Sequence, residues 1–391
     1  MALRLSHHGF VQPDRMFIAY LSKPTLDDTD KATTEPRGTP TVMPVPFDRP
    51  VLFRLRSIGD TVLMTPVLSV LKAWRPDLPI AVVVEPLSAP LLEPHPLVDE
   101  LFVIPRPRHN LAGLGGRLQA IWELRARRFD IGFNMHGGTT AAWLMRLAGI
   151  PRRVGYALPN TRWLLTHVAP APTEIWQKAV IHCVEQQLGL LKLVGVPVPS
   201  PLPRTKLYCA PQARAAVTAK LRQAGVSGPY AIIHPAAAFQ SKQWAAAHFA
   251  EIADDLARRG LQPIVIVGPG EEPVAEAVRR ALPAARRVLF FTDLPLSETM
   301  ALIAGCAFFV GNDSGPAHIA AAFERPLVVI FGSSNDAVWS PWTNVPHRVV
   351  RHRLPCVPCA GRVCHAFPEP ECIRRVTVAE VISAIEAVFS A

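Results

Sequence analysis

From residue 50 onward the chain alternates between short, nearly uninterrupted apolar runs and longer stretches whose apolar residues recur at helical spacing. In the first half the runs are Pro50-Val-Leu-Phe-Arg-Leu55, Ile80-Ala-Val-Val-Val84, Glu100-Leu-Phe-Val-Ile104 and Asp130-Ile-Gly-Phe133. The second half adds Tyr230-Ala-Ile-Ile-His234, Pro263-Ile-Val-Ile-Val267, Val288-Leu-Phe-Phe291, Ala307-Phe-Phe-Val310 and Leu327-Val-Val-Ile-Phe331. Such runs, ended by glycine or proline turns, predict strands covered on both faces. After the first run, Leu63, Val67, Val70, Leu71 and Trp74 share one helical face, with Pro66 expected in the opening turns or at a kink. Further helices are predicted over 244–259, with Phe249, Ile252, Ala253 and Leu256 inward, over 273–280, and over 378–389. Strands alternating with helices imply parallel sheets layered with helices on both sides.

The proline-dense stretch 197–203 separates two such halves. The predicted organisation is a loose extension over 1–47, one α/β unit over 48–198, a second over 204–375, and a last helix, 376–391, crossing back to the first unit. The chain of 391 residues is 49% hydrophobic and 18% charged, which excludes a disordered protein and leaves room for two full cores. No apolar stretch approaches the roughly 20 residues of a membrane span. The N-terminus lacks the pattern of a secretory signal, so a cytoplasmic protein is expected. Lysine and arginine exceed the acids by 10, which favours an anionic partner. No nucleic-acid-binding signature accompanies the excess, so a phosphorylated sugar or an acidic membrane surface is preferred. Arg106, Arg108, Arg117, Arg125, Arg127 and Arg128, interleaved with apolar residues, fit a solvated helix face or a surface for phosphorylated lipid.

The stretch that concentrates chemistry is Phe308-Phe-Val-Gly-Asn-Asp-Ser-Gly-Pro-Ala-His318. A buried strand breaks at Gly311, and a helix restarts with Pro316 in its first turn. Asp313 or Ser314 can cap that helix, Gly315 leaves the backbone open to a ligand, and the positive helix end favours an anion. His318, one turn in, faces the same spot. An ordinary strand–turn–helix connection is the plainer alternative. A second feature is Cys356-x2-Cys359-x4-Cys364-x7-Cys372, whose compact spacing suits a structural zinc or iron ion. Reduced buried thiols or an iron–sulfur cluster are the other readings, and His365 is a spare ligand.

The Asp313-to-His318 block resembles the nucleotide-sugar diphosphate loop of glycosyltransferase family 9, the ADP-heptose:lipopolysaccharide heptosyltransferases. Four more blocks are similar to that family. They are Arg54-Leu-Arg-Ser-Ile-Gly-Asp60, His234-Pro-Ala-Ala-Ala-Phe-Gln-Ser-Lys242, Val267-Gly-Pro-Gly-Glu-Glu272 and Thr292-Asp-Leu294-Pro-Leu-Ser297. The resemblance implies a GT-B fold of two facing Rossmann-like units with ligands in the cleft between them. It also implies an inverting transfer without a catalytic metal or other required cofactor.

In that reading Asp60 is the catalytic base, with helix capping as its alternative, and Lys242 neutralises the diphosphate beside Ser241. Glu271 or Glu272 holds the ribose, and Leu294 lies against the adenine. Asp313, Ser314, Gly315 and His318 hold the donor. The implied partners are ADP-L-glycero-D-manno-heptose and an anionic lipopolysaccharide inner-core acceptor at the cytoplasmic face of the inner membrane. A protein O-heptosyltransferase, a nucleotide-sugar epimerase and a non-catalytic sugar-nucleotide-binding protein remain alternatives. Retention of both Asp60 and Lys242 speaks against the last.

Overall fold

The computed structural model describes residues 44–105, 111–135, 137–156, 161–284, 287–359 and 363–391. Arg106, Arg108 and all but the last residues of the expected extension lie outside the described residues. Two parallel six-stranded sheets carry the fold. The first contains β1 (Pro50–Phe53), β2 (Ala81–Val84), β3 (Glu100–Val103), β4 (Ile131–Asn134), β5 (Arg152–Tyr156) and β6 (His167–Ala169). Its order is β3-β2-β1-β4-β5-β6. The second contains β7 (Tyr230–His234), β8 (Gln262–Ile266), β9 (Leu289–Phe291), β10 (Phe308–Asn312), β11 (Leu327–Phe331) and β12 (His347–Arg351). Counted from β9, its order β9-β8-β7-β10-β11-β12 repeats that of the first sheet. In such sheets ligands collect where the strand order reverses, beyond the carboxyl ends of the central strands. Those positions follow β1 and β4 in one sheet and β7 and β10 in the other. This is the doubly wound α/β architecture of the GT-B fold.

The central strands are buried on both faces, as their unbroken apolar runs require. Strands β5, β6 and β12 were not predicted. Arg152, Arg153 and Gly155 interrupt β5, β6 has three residues, and β12 at the sheet edge is polar at three of its five positions. Strands near an edge need less apolar cover, and so their signal is weaker.

Helix α1 (Ile58–Trp74) departs from the expected single apolar face. It is buried around nearly its whole circumference from Gly59 to Leu71, with Pro66 well inside. Packing on all sides holds it against the local cost of the proline. The expected loose extension also ends earlier than residue 47. Phe47 is buried against Trp74 and Phe133, and Val45 N donates to Val194 O.

Helices α2 (Leu111–Ala126) and α3 (Thr139–Leu147) cover the opposite face of the first sheet from α1. Ala120, Leu124, Leu144 and Met145 share a core with Val51 and Phe53, whereas Leu52 points toward α1. Helix α4 (Cys183–Leu193) lies beside α1. In the second half, α5 (Ala246–Arg258) and α6 (Gly315–Ala322) flank the sheet.

The last helix, α7 (Val378–Phe389), does not cross back to the first unit. It packs on β11, β12 and α5, burying Val381, Ile385 and Val388 with Phe308, Val328 and Ile330. Its apolar stripe needs a large apolar face, and the second sheet offers one beside Thr377, whose side chain and Glu380 form the capping box. Among the described residues no helix is long and apolar enough to cross a membrane.

The halves are joined at several places, among them the helical turn Ala89–Leu92 against the helix Leu296–Ala304. Near the linker, Trp342 donates from Nε1 to Pro203 O at 2.9 Å, and Thr205 Oγ1 donates to Trp342 O at 3.0 Å. His182 caps α4 with Nδ1, reaches Ser340 O with Nε2 at 3.0 Å, and stacks on Trp342. Accepting at Nδ1 and donating at Nε2 fixes the neutral tautomer. Nearer the cleft, the first turns of α1 and α6 touch. A Cβ on Gly59 would meet His318 Cδ2 at 2.7 Å, and one on Gly315 would meet Ile58 Cγ2 at 2.7 Å and Ile58 Cβ at 2.9 Å.

Gly315→Ala should therefore cost about 1–3 kcal/mol, read as a lower urea midpoint at unchanged m-value. An unaltered midpoint would mean that the two helix ends stand apart in solution. Burial pushes His182 from the ordinary 6.5 down to about 4, with Arg204 and His318 pushing the same way and Ser340 and Glu185 opposing. The unfolded chain then takes the proton first. The stability this histidine contributes is whole above pH 6.5 and is lost as pH falls toward 4. His182→Gln should flatten the fall in unfolding free energy across that window, by up to about 1.4 kcal/mol per pH unit.

Candidate active site

On the first half, Asp60 is the third residue of α1, directly after the β1 turn. Its Oδ2 accepts from Ser57 Oγ at 2.8 Å and Ser57 N at 3.2 Å, closing a capping box. Its Oδ1 pairs with Arg54 Nη2, and Arg54 Nη1 donates to Met135 O at 2.5 Å. Arg54 is buried, while the Asp60 side chain keeps 20% of its surface exposed. Asp60 thus caps the helix and also reaches solvent at the strand-order reversal. Arg54 is a residue that the sequence reading passed over. Its signal was a lone cation inside an apolar strand run, which has to find a carboxylate when buried.

On the second half, Lys242 ends a short turn after β7. Its Nζ donates to Asp313 Oδ2 at 2.8 Å and lies 5.7 Å from the centre of the Phe239 ring. Ser334 Oγ donates to the same Asp313 oxygen at 2.5 Å. Ser334 was not foreseen either, since nothing in its local sequence marks it. Ser241 is buried and shares a 2.8 Å hydrogen bond with Ser333 Oγ, which ties the lysine's turn to the loop after β11.

Ser314 occupies the N-cap of α6, but its hydroxyl does not cap the helix. It donates to Asn312 O and shares a 3.1 Å hydrogen bond with His234 Nδ1. Burial pushes His234 down to about 4, so it is neutral at pH 7. Its Nε2 stands 3.9 Å from Glu271 Oε2, which accepts from Gly268 N at 2.8 Å. Glu271 therefore belongs to the Ser314–His234 chain of contacts. Glu272 is exposed and accepts from Gly270 N. The structure thus separates two acids that the sequence left equivalent. Leu294 is buried in the core, so its side chain supports its loop from within.

Gly315 was expected to leave its backbone open to a ligand. Its missing Cβ, like that of Gly59, lets α1 and α6 meet. His318 lies in that contact, buried, with Nδ1 lacking any hydrogen-bond partner. Burial lowers its pKa, Asp313 and Asp60 oppose that, and Lys242 adds to it. One neutral imidazole is therefore within electrostatic reach of the acid of the first half and of the ion pair of the second. Two helix N-termini, a lysine and an unpartnered ring nitrogen around one spot make an anion site with a carboxylate beside it.

Cys356, Cys359, Cys364 and Cys372 line one cavity of about 260 Å³ together with His365, Ser241 and Ser333. All are free thiols. Among the described residues no three His, Cys, Asp or Glu side chains converge closely enough to hold a metal ion. Burial pushes the Cys372 thiol up, and Cys356 and Cys364 push the same way. No chemical step is assigned to a metal at this cluster.

Residues 117–368 match the sequence profile of glycosyltransferase family 9 (heptosyltransferase). The chain is 28% identical over 299 residues to lipopolysaccharide heptosyltransferase 3 of Escherichia coli, covering 74% of this chain and 85% of that protein. It is 30% identical over 294 residues to lipooligosaccharide heptosyltransferase 2 of Haemophilus influenzae, covering 73% and 83%. The fold superposes on E. coli ADP-heptose LPS heptosyltransferase II with a TM-score of 0.71 at 24% identity, covering 88% of this chain and 98% of that one. A profile match running from α2 of the first half to beyond the last strand of the second takes in β4 to β6 of the first sheet and the whole of the second, more than half of the chain, and the chain belongs to glycosyltransferase family 9, the heptosyltransferases, as an enzyme of that family.

Proposed function

We propose that the enzyme transfers heptose, with inversion, from ADP-L-glycero-D-manno-heptose to a hydroxyl of a lipopolysaccharide inner-core acceptor. The observation that carries this reading is the shared environment of His318, which senses Asp60 from one half and Asp313 with Lys242 from the other. Asp60 takes the proton of the acceptor hydroxyl, whose oxygen attacks the anomeric carbon. The bond from that carbon to the diphosphate breaks, and ADP leaves with the electron pair. Lys242, the His318 ring and the first-turn amides of α6 stabilise the charge that accumulates on the leaving group.

Asp313, engaged by Lys242 and Ser334, holds the lysine in place and gives up no proton, since a diphosphate leaves without one. Glu271, set by Gly268 N, accepts from the ribose hydroxyls. The donor follows the relatives, several of which are named as heptosyltransferases and one as using ADP-heptose. An acidic, lipid-held acceptor accords with the net charge of +10.

Asp60→Asn should lower kcat by roughly 10²–10⁴-fold while the melting shift with ADP persists, because the base acts on the acceptor alone. Lys242→Ala should lower kcat by about 10²–10³-fold. It should also weaken an ADP-induced stabilisation that reaches about 2.7 kcal/mol at 100 times the dissociation constant. Single-turnover donor consumption with and without acceptor, alongside melting with ADP, UDP and GDP, provides the readout. A shift with UDP in place of ADP would sink the heptose donor. Donor consumption without acceptor would point to an epimerase.

A further inference from the structure

The outer surface of the α2–α3 layer breaks the usual rule for a solvent-facing helix. On α2, Leu118, Trp122 and Arg125 fall at spacings of four and three residues, with Leu118 59% and Trp122 73% exposed. On α3, Trp143, Arg146 and Leu147 repeat the pattern. Trp163, in the turn Arg162–Leu164, stands edge-on to Trp143 with ring centroids 5.1 Å apart, and is 65% exposed.

Both helices and this turn pack through one core onto the same face of the first sheet, so the exposed rings belong to a single layer. Apolar residues at positions that face water mark a surface built for a partner. The charge on the layer tells which kind. Residues 111–165 contain eight arginines, no lysine and two acids, Glu123 and Asp130. Asp130 is taken by the backbone amides of Asp48 and Arg49, and Glu123 by Gln119. Arg125, Arg128, Arg146 and Arg162 are exposed beside the tryptophans.

We propose that this layer is a membrane-docking face that seats the enzyme on an anionic phospholipid bilayer, the indoles and leucines entering the interface and the arginines contacting lipid phosphates. Tryptophan prefers the boundary between headgroup and acyl chain, and arginine can bury its stem there while its guanidinium stays with phosphate. A second copy of the chain is a poorer occupant, since it would set arginine against arginine. Single-stranded nucleic acid is poorer too, because Trp143 and Trp163 are already paired and the flanking apolar residues are aliphatic. The proposal rests on the glycosyltransferase reading only for its purpose, a lipid-held acceptor. The docking itself needs neither donor nor acceptor.

The test is co-sedimentation of the full chain with phosphatidylcholine vesicles, with and without phosphatidylglycerol, in the absence of any sugar nucleotide. Binding is expected only with phosphatidylglycerol, and should be largely lost in about 0.5 M salt as screening shortens. Trp122→Ser with Trp163→Ser should raise the lipid concentration for half-binding about ten-fold, and Arg125→Glu with Arg146→Glu should do at least as much. Quenching of tryptophan fluorescence by brominated lipid should fall in Trp122→Phe, a substitution that preserves shape.

Melting temperatures and ADP-induced shifts equal to wild type would show that these surfaces act apart from the cleft. Three results would each overturn the proposal. One is wild-type protein staying in solution with anionic vesicles. Another is vesicle binding indifferent to the tryptophan and arginine changes. The third is substitutions that alter only the sedimenting mass of the protein or its capture by an oligonucleotide. Loss of transferase activity with vesicle binding intact would instead bear on the transferase reading alone.

Discussion

Two helix N-termini meet at the floor of the cleft, and the rest of the site is arranged around the electrostatic consequence. Each helix places unpaired amides and a partial positive charge at its start. With Gly59 against His318 and Gly315 against Ile58, α1 and α6 bring those ends together with the His318 ring and the Ile58 side chain packed between them. The contact calls for negative charge. The protein supplies Asp60 on one side and Asp313 on the other, each held by a cation of its own half, Arg54 and Lys242. In the reaction proposed above, the donor's diphosphate adds negative charge at the same place and draws on Lys242 and the α6 amides. The parallel-sheet topology makes the convergence possible, since both sheets reverse their strand order where these loops emerge.

The sequence reading was strong where the physics is local. The nine apolar strand runs, the glycine turn before Asp60 and the strand–turn–helix at Gly311 to His318 all left marks within a few residues. It was weak where partners are distant in sequence. Pro66 lies deep inside α1 because packing on every side of that helix overrides a local preference. The last helix chose the sheet beside it, a choice set by which apolar face is large enough. Gly315 reads as a ligand clearance because a missing Cβ looks the same whether a phosphate or a neighbouring side chain fills the space. Arg54 and Ser334 are bound to the site by ion pairs and hydrogen bonds that no spacing rule anticipates.

The cysteine cavity is structurally continuous with the donor loop. Cys372 Sγ lies 3.9 Å from Ser241 O, Cys359 N donates to Ser333 O at 2.8 Å, and Ser241 and Ser333 bond to each other. Lys242 follows Ser241 directly, so the turn that aims the lysine rests against the wall of the thiol cavity. The cluster therefore buttresses the turn that carries Lys242.

Hinged enzymes usually place their pivot away from the reacting atoms. Here the glycine contact is a fulcrum set beside them. The atoms in contact are the His318 ring on Gly59 and the Ile58 side chain on Gly315, and the apolar core of α1 runs on into that of α6. A rotation of the halves about this point would sweep the far ends of the sheets through a wide arc while the separation of Asp60 from Lys242 changed little. The stacked rings of His182 and Trp342 sit off that pivot and would resist the turn. Such a turn would keep the two glycines, the His318 ring and Ile58 as one packed unit at its centre.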